Sequence, residues 1–240
     1  MNKLLQFSGL SALGVLAIAA FLHQGQGSEQ QHHDAQAQIA TQIRTLQQQA
    51  LHWMQPIQFE IKPMSVDADY QHSGEVLLQY LAQDIEAYHT YLRELEEMSW
   101  HQFLDLARLQ QDQKQQLAQS EQILRQVQLL TRIYLQNDLE RQEALVKHLQ
   151  KMDLGIDAKQ YLQTQLGLDR PRREQQKYVL SLQQDLITHC YRMFKIMQQH
   201  PWQIQDQQFI FEDSEVAQRF QKAWLAARMN HAKIHASIAP

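Results

Sequence analysis

The side chains best suited to chemistry in this chain are its twelve histidines and the acids beside them. Glu86 and His89 form an E-x-x-H tetrapeptide, which on a helix sets a carboxylate and an imidazole one turn apart on one face. In bundles that hold two metal ions, two such pairs converge with two more glutamates from facing helices. The other E-x-x-H, Glu29 to His32, falls in a polar stretch with nothing apolar to anchor it. The set is incomplete, and Tyr88 reads as a core residue with Glu86 and His89 flanking it in solvent. His231 and His235 are four apart, a spacing that lets both meet one ion, yet no acid completes an H-E-x-x-H pattern there. His32, His33 and Asp34 suit only the weak chelation of any histidine-rich tract. No metal or cofactor is assigned.

Nucleophilic catalysis has little to build on. Cys190, the single cysteine, follows His189, but adjacent helical residues diverge by about 100° and cannot form a dyad. Its place between Leu186 and Met193 suits a small buried apolar group. The chain has no G-x-S-x-G elbow and no glycine-rich phosphate loop. Three cations, Arg170, Arg172 and Arg173, open a helix at the end where its dipole is positive. That local conflict marks them as a candidate contact for a carboxylate or phosphate of a partner. Glu94, Glu96 and Glu97 read as a solvated helix end. Trp53, Trp100, Trp202 and Trp224 sit at helical spacing, more in keeping with a core than a ligand groove.

The elements that must position these groups are helices. Seven glycines and five prolines are too few for an all-β chain, and apolar residues recur at steps of three and four. Ile39, Ile43, Leu46, Ala50 and Trp53 mark a first helix, ended by Pro56. Ile57, Phe59 and Ile61 alternate with polar residues, predicting an extended piece that the flanking prolines confine to an edge. Leu77, Leu81, Ile85, Tyr88, Leu92 and Leu95 form a coiled-coil-like seam starting near Ser73, which a Ser99–Gln102 capping box could end. No Gly or Pro interrupts Trp100 to Leu154. A straight helix of that length would reach roughly 80 Å, so a break is expected near Gln110. Gly155 is a natural stop, Asp157 and Gln160 suit the start of a short helix ending at Gly167, and Pro171 suits the first turn of the next. That helix runs to Pro201, and a last one begins near Asp213. Residues 208–212 form a second extended piece that could pair with 57–61 as a ribbon.

One cysteine excludes a disulfide framework within the chain. A formal charge of −4 without basic clustering argues against nucleic acid. Forty-four of the 240 residues are glutamine, which stands in for charge as the surface polar group. Leu4 to Leu22 is uncharged and spans about 28 Å as a helix, enough for a bilayer core. It reads as a signal-anchor, with a cleaved signal peptide as the alternative; Lys3 places the N-terminus in the cytoplasm.

The expected protein is therefore all-α: an elongated bundle of five or six helices with coiled-coil-like seams, preceded by one membrane helix. Residues 1–22 form the anchor, 23–37 a flexible polar tether, and 38–240 the bundle, in the periplasm of a bacterial inner-membrane protein. The expected role is protein interaction or scaffolding along an exposed helical seam. The alternatives are a released chaperone-like or ligand-binding bundle and, less favoured, a metal enzyme built on Glu86 and His89.

Overall fold

The computed structural model describes residues 29–63, 68–152 and 155–238. Leu4–Leu22 and the first part of the expected tether lie outside them. Among the described residues no helix is long and apolar enough to cross a membrane.

The chain is predominantly helical, with helices α1 (Glu29–Gln49), α2 (Ala68–Glu97), α3 (Leu106–Gln113), α4 (Ala118–Lys151), α5 (Ile156–Leu168), α6 (Arg170–Gln199) and α7 (Ser214–Ile238). A one-turn 3₁₀ helix, Trp100–Gln102, links α2 to α3, and strands β1 (Trp202–Gln205) and β2 (Gln208–Phe211) link α6 to α7. Seven α-helices among the described residues exceed the five or six expected, because the stretch from Trp100 to Leu154 is divided between α3 and α4 and set off from α2 at Ser99. Ser99 enters the left-handed region at φ 54°, and its side chain makes no capping bond. Gln116 and Leu117 do the same at φ 57° and 63°, which moves the second break past Gln110. Left-handed residues end a helix because their carbonyls leave its axis. Two other boundaries move. The expected tether is already helical from Glu29, and α2 starts at Ala68 rather than near Ser73.

Two hydrophobic cores are stacked along α2 and α4. The smaller gathers Ile39, Ile43 and Leu46 of α1 with Leu77, Leu78 and Leu81 of α2, Leu145 of α4 and Tyr161 of α5. The larger joins Leu92, Leu124, Val127, Leu186, Met193 and Phe220, and in it Tyr88, Cys190 and Trp224 converge. At about 1.5 Å per residue, α2 and α4 are roughly 45 and 51 Å long, sufficient to run through both cores.

The ribbon is a correction. β2 pairs not with residues 57–61 but with β1, antiparallel, with Trp202 opposite Phe211. The two-residue turn Asp206–Gln207 has φ 49° and 62°, the twist that tight hairpins favour. Closing two residues costs far less entropy than closing about 150. Aromatic packing of Phe209 and Phe211 on Phe220, at 4.6 and 4.9 Å, covers the hairpin.

Residues 57–62 are extended but pair with side chains. Gln49 donates to the Gln58 carbonyl at 2.9 Å and accepts its N–H at 3.0 Å. Gln42, one heptad earlier, treats Lys62 the same way at 3.3 and 2.9 Å. Each primary amide imitates one rung of a β-ladder, so α1 replaces the missing strand. Ile57, Phe59 and Ile61 pack against the smaller core, while Gln58, Glu60 and Lys62 are exposed.

Candidate functional site

Between the two cores lies a layer of buried charge. Asp84 is fully buried on α2, seven residues after Leu77 and seven before Tyr91, in the column that otherwise supplies core. Arg172 of α6 donates to Asp84 Oδ2 at 2.6 Å, and to Asp169 through Nε and Nη2, both at 2.7 Å. Its third nitrogen meets Gln176 Oε1 at 2.9 Å, and the Gln176 amide donates to the Tyr134 hydroxyl. Arg141 of α4 brings Nε to 3.9 Å from Asp84 Oδ1 and Nη2 to 3.4 Å from Asp138. Arg173 donates to the Tyr80 hydroxyl at 2.8 Å. Three aspartates thus face three arginines in the middle of the molecule.

The electrostatics follow from burial. Desolvation and then the charge of Asp84 push the Asp138 carboxyl above its ordinary range. Burial would lower Arg172, but its bonds to Asp169 and the charge of Asp84 more than reverse that. Burial raises the phenols of Tyr80, Tyr88, Tyr91 and Tyr134, keeping them protonated. Asp84 Oδ1 and Arg141 Nε are buried with no hydrogen-bond partner among the described residues.

Tyr134 and Arg141 also line a groove of about 560 Å³ on the outer side of this layer. α2 forms its floor from Ala82 to Glu94, α4 one wall with Leu130 and Ile133, and the extended segment the other with Ile57 and Phe59. The helices run antiparallel here: Tyr91 shares a hydrogen bond with Thr131 at 3.0 Å, while Asp84 meets Arg141 further along. Tyr88, Tyr91 and Tyr134 stack beneath the groove, with Tyr91 and Tyr134 centroids 4.7 Å apart. Ile133 is 46% exposed and Leu130 half-buried, giving the wall an apolar lip.

The residues singled out from the sequence fall into this frame unevenly. Glu86 and His89 are not solvent flanks of Tyr88: both hold the chain after α1 in place. Glu86 accepts the Ile57 N–H at 2.7 Å and pairs with Arg93 at 2.5 Å. Burial would raise its carboxyl, but those two partners outweigh it and hold Glu86 below the usual range. His89, 1% exposed, donates from Nε2 to the Ala50 carbonyl at 3.2 Å, and burial lowers its pKa. His231 and His235 meet edge to face, with ring centroids 4.5 Å apart. Among the described residues no group of three or more His, Cys, Asp or Glu could hold a metal ion. Cys190 is fully buried, as its position on the apolar stripe implied, and burial pushes its thiol up.

Of the arginine trio, Arg172 and Arg173 are turned inward to Asp84, Asp169 and Tyr80, leaving Arg170 exposed. For Arg172 the dipole conflict is offset by Asp169 at the start of α6 and by Asp84 of α2. Glu94 and Glu97 are exposed, and Glu96 meets His101 at 3.1 Å. Trp100, Trp202 and Trp224 are core. Sequence reading passed over Asp84 and Asp138. For Asp84 the signal was there: a carboxylate in heptad register with Leu77 and Tyr91 needs a buried cation.

No protein-family model, curated protein or solved structure matches this chain.

Proposed function

We propose that this protein is a membrane-anchored envelope protein whose helical body, on the non-cytoplasmic side, works by binding a protein partner. Leu4–Leu22 would be the anchor, single-pass in the inner membrane, with the body in the periplasm. The observation that carries the binding role is the groove between α2, α4 and the extended segment. It is concave, rimmed by exposed Ile133 and Glu94, with the stacked Tyr91 and Tyr134 among its lining. Supporting it, the groups best suited to catalysis are engaged in holding the fold. Glu86 and His89 clamp the chain after α1, Asp84 and Arg172 join the two cores, and Cys190 is sealed in.

The test is a photo-crosslinking amino acid placed at Ile133 and, separately, at exposed Lys177 in intact cells. A discrete protein adduct from 133 and none from 177 is expected; no adduct from 133 would end the binding role for this groove. A reporter enzyme fused after Pro240 tests the location, and activity confined to the cytosol would refute it. The mass of the mature N-terminus separates anchor from released bundle, a start at Ala20 or Ser28 removing the anchor.

A further inference from the structure

Residues 57–61 form one side of the groove, and their backbone is half used. In an extended chain, alternate residues direct N–H and C=O to opposite edges. Gln58 and Lys62 spend theirs on Gln49 and Gln42 of α1. The opposite edge belongs to Ile57, Phe59 and Ile61. There the Ile57 N–H reaches Glu86, a residue of the groove itself. Among the described residues nothing bonds the N–H or C=O of Phe59. The segment is pinned straight by two glutamine clamps and the Glu86 bond, so its open edge is presented in one conformation. Natural proteins usually blunt such an edge.

The groove beside that edge has the dimensions of a strand. Ala82 to Glu94 spans about 18 Å of α2 at 1.5 Å per residue, which an extended chain covers in about five residues at 3.3 Å each. Its floor at Ala82 and Ala87 is shallow, leaving room for side chains. Its charge is polarised. Arg141 is matched by Asp138 and Asp84, and Glu86 by Arg93, whereas Glu94 at the far end is exposed and forms no ion pair among the described residues.

We infer that the groove accepts an extended segment of a partner protein, about five residues long, which adds as a strand to the free edge at Phe59. Apolar side chains of that segment alternate downward onto Ala87 and Tyr91, and a lysine or arginine lies over Glu94. Main-chain bonds supply affinity and the alternating side chains select sequence. The inference rests on the binding role proposed above and specifies its partner.

The probe is a blocked heptapeptide alternating valine and threonine, with lysine at one end, titrated into the full chain in lipid nanodiscs. Binding by fluorescence anisotropy, with slowed hydrogen exchange at the Phe59 amide, is expected. The same peptide N-methylated at alternate residues loses the main-chain bonds and should not bind. Glu94→Lys, at an exposed site, should weaken the lysine peptide about fivefold and favour its glutamate counterpart. No binding, or binding indifferent to N-methylation with the Phe59 amide still exchanging freely, overturns the strand-addition model. The adduct from position 133 in cells is read independently, so this model can fail while the binding role stands, and the reverse result is equally visible.

Discussion

Asp84 and Asp112 are both almost completely buried, at 0% and 2% exposure, yet they are stabilised in different ways. Asp112 ends α3 and accepts the backbone N–H groups of Gln119 and Ser120, at 3.0 and 2.7 Å, in the first turn of α4. It caps the next helix from outside, where Leu117 offers no side-chain cap, and its charge lies at the favourable end of that helix dipole. Arg108, one turn earlier, holds the corner together. It donates to Ser120 Oγ at 3.2 Å and to the Phe103 carbonyl at 2.6 Å, and lies 3.8 Å from Asp112. The hydrogen bonds of that network fall within 19 residues of sequence, Gln102 to Ser120. Asp84 depends on Arg172, 88 residues away, and one of its oxygens accepts nothing among the described residues. A buried carboxylate met by local backbone donors is a turn device, whereas one met by a distant guanidinium is a joint between cores.

The strongest way to break the comparison is at Arg172. Arg172→Ala leaves Asp84 and Asp169 without their guanidinium, and a loss of about 3–5 kcal/mol in urea unfolding is expected. A loss below about 1 kcal/mol would mean that Arg141 can replace it. Asp112→Ala removes two charge-assisted cap bonds and should cost about 2–3 kcal/mol. Hydrogen exchange should then quicken at Gln119 and Ser120 but not at Asp84; equal quickening at both would show the two networks to be coupled.

A pH series sharpens the contrast further. Asp138 is raised in the folded state by burial and by Asp84. As pH climbs past the ordinary carboxylate value toward the raised one, the unfolded chain loses a proton that the folded chain keeps. Stability from this group therefore falls with rising pH over that interval. Glu86 has the opposite sign: its folded value is lowered, so its contribution is present above the ordinary glutamate value and disappears as pH falls through the folded one. Asp138→Asn should flatten the upper part of the profile and leave the acid limb unchanged; an unaltered upper limb would remove Asp138 from the account. The smallest effect is expected of Ser120→Ala, about 1 kcal/mol, confined to the α3–α4 corner and checked by thermal unfolding.

Much of the helical frame was legible because apolar spacing reports a helix face directly. The Leu77–Leu95 seam and the burial of Cys190 and three tryptophans follow from that spacing. The starts of α1 and α2 and the break at Gln116–Leu117 were not: the apolar periodicity begins only at Ile39 in α1 and Leu77 in α2, and no glycine or proline marks the break. The candidate site was legible only in fragments. Glu86 and His89 stood out by spacing, but their partners, Ile57 and Ala50, lie 29 and 39 residues away. Arg172 stood out as a misplaced cation, while Asp84, one of the two acids that receive it, is on another helix.

Sequence alone determined the predominantly helical character and the extended alternation over 57–61, because each depends on periods a few residues long. Only tertiary structure decided that Gln42 and Gln49 act as a strand, that Asp84 faces Arg172, and that a groove opens between α2, α4 and the extended segment. Those outcomes depend on desolvation, and a charge or an amide is desolvated only when a distant helix closes over it.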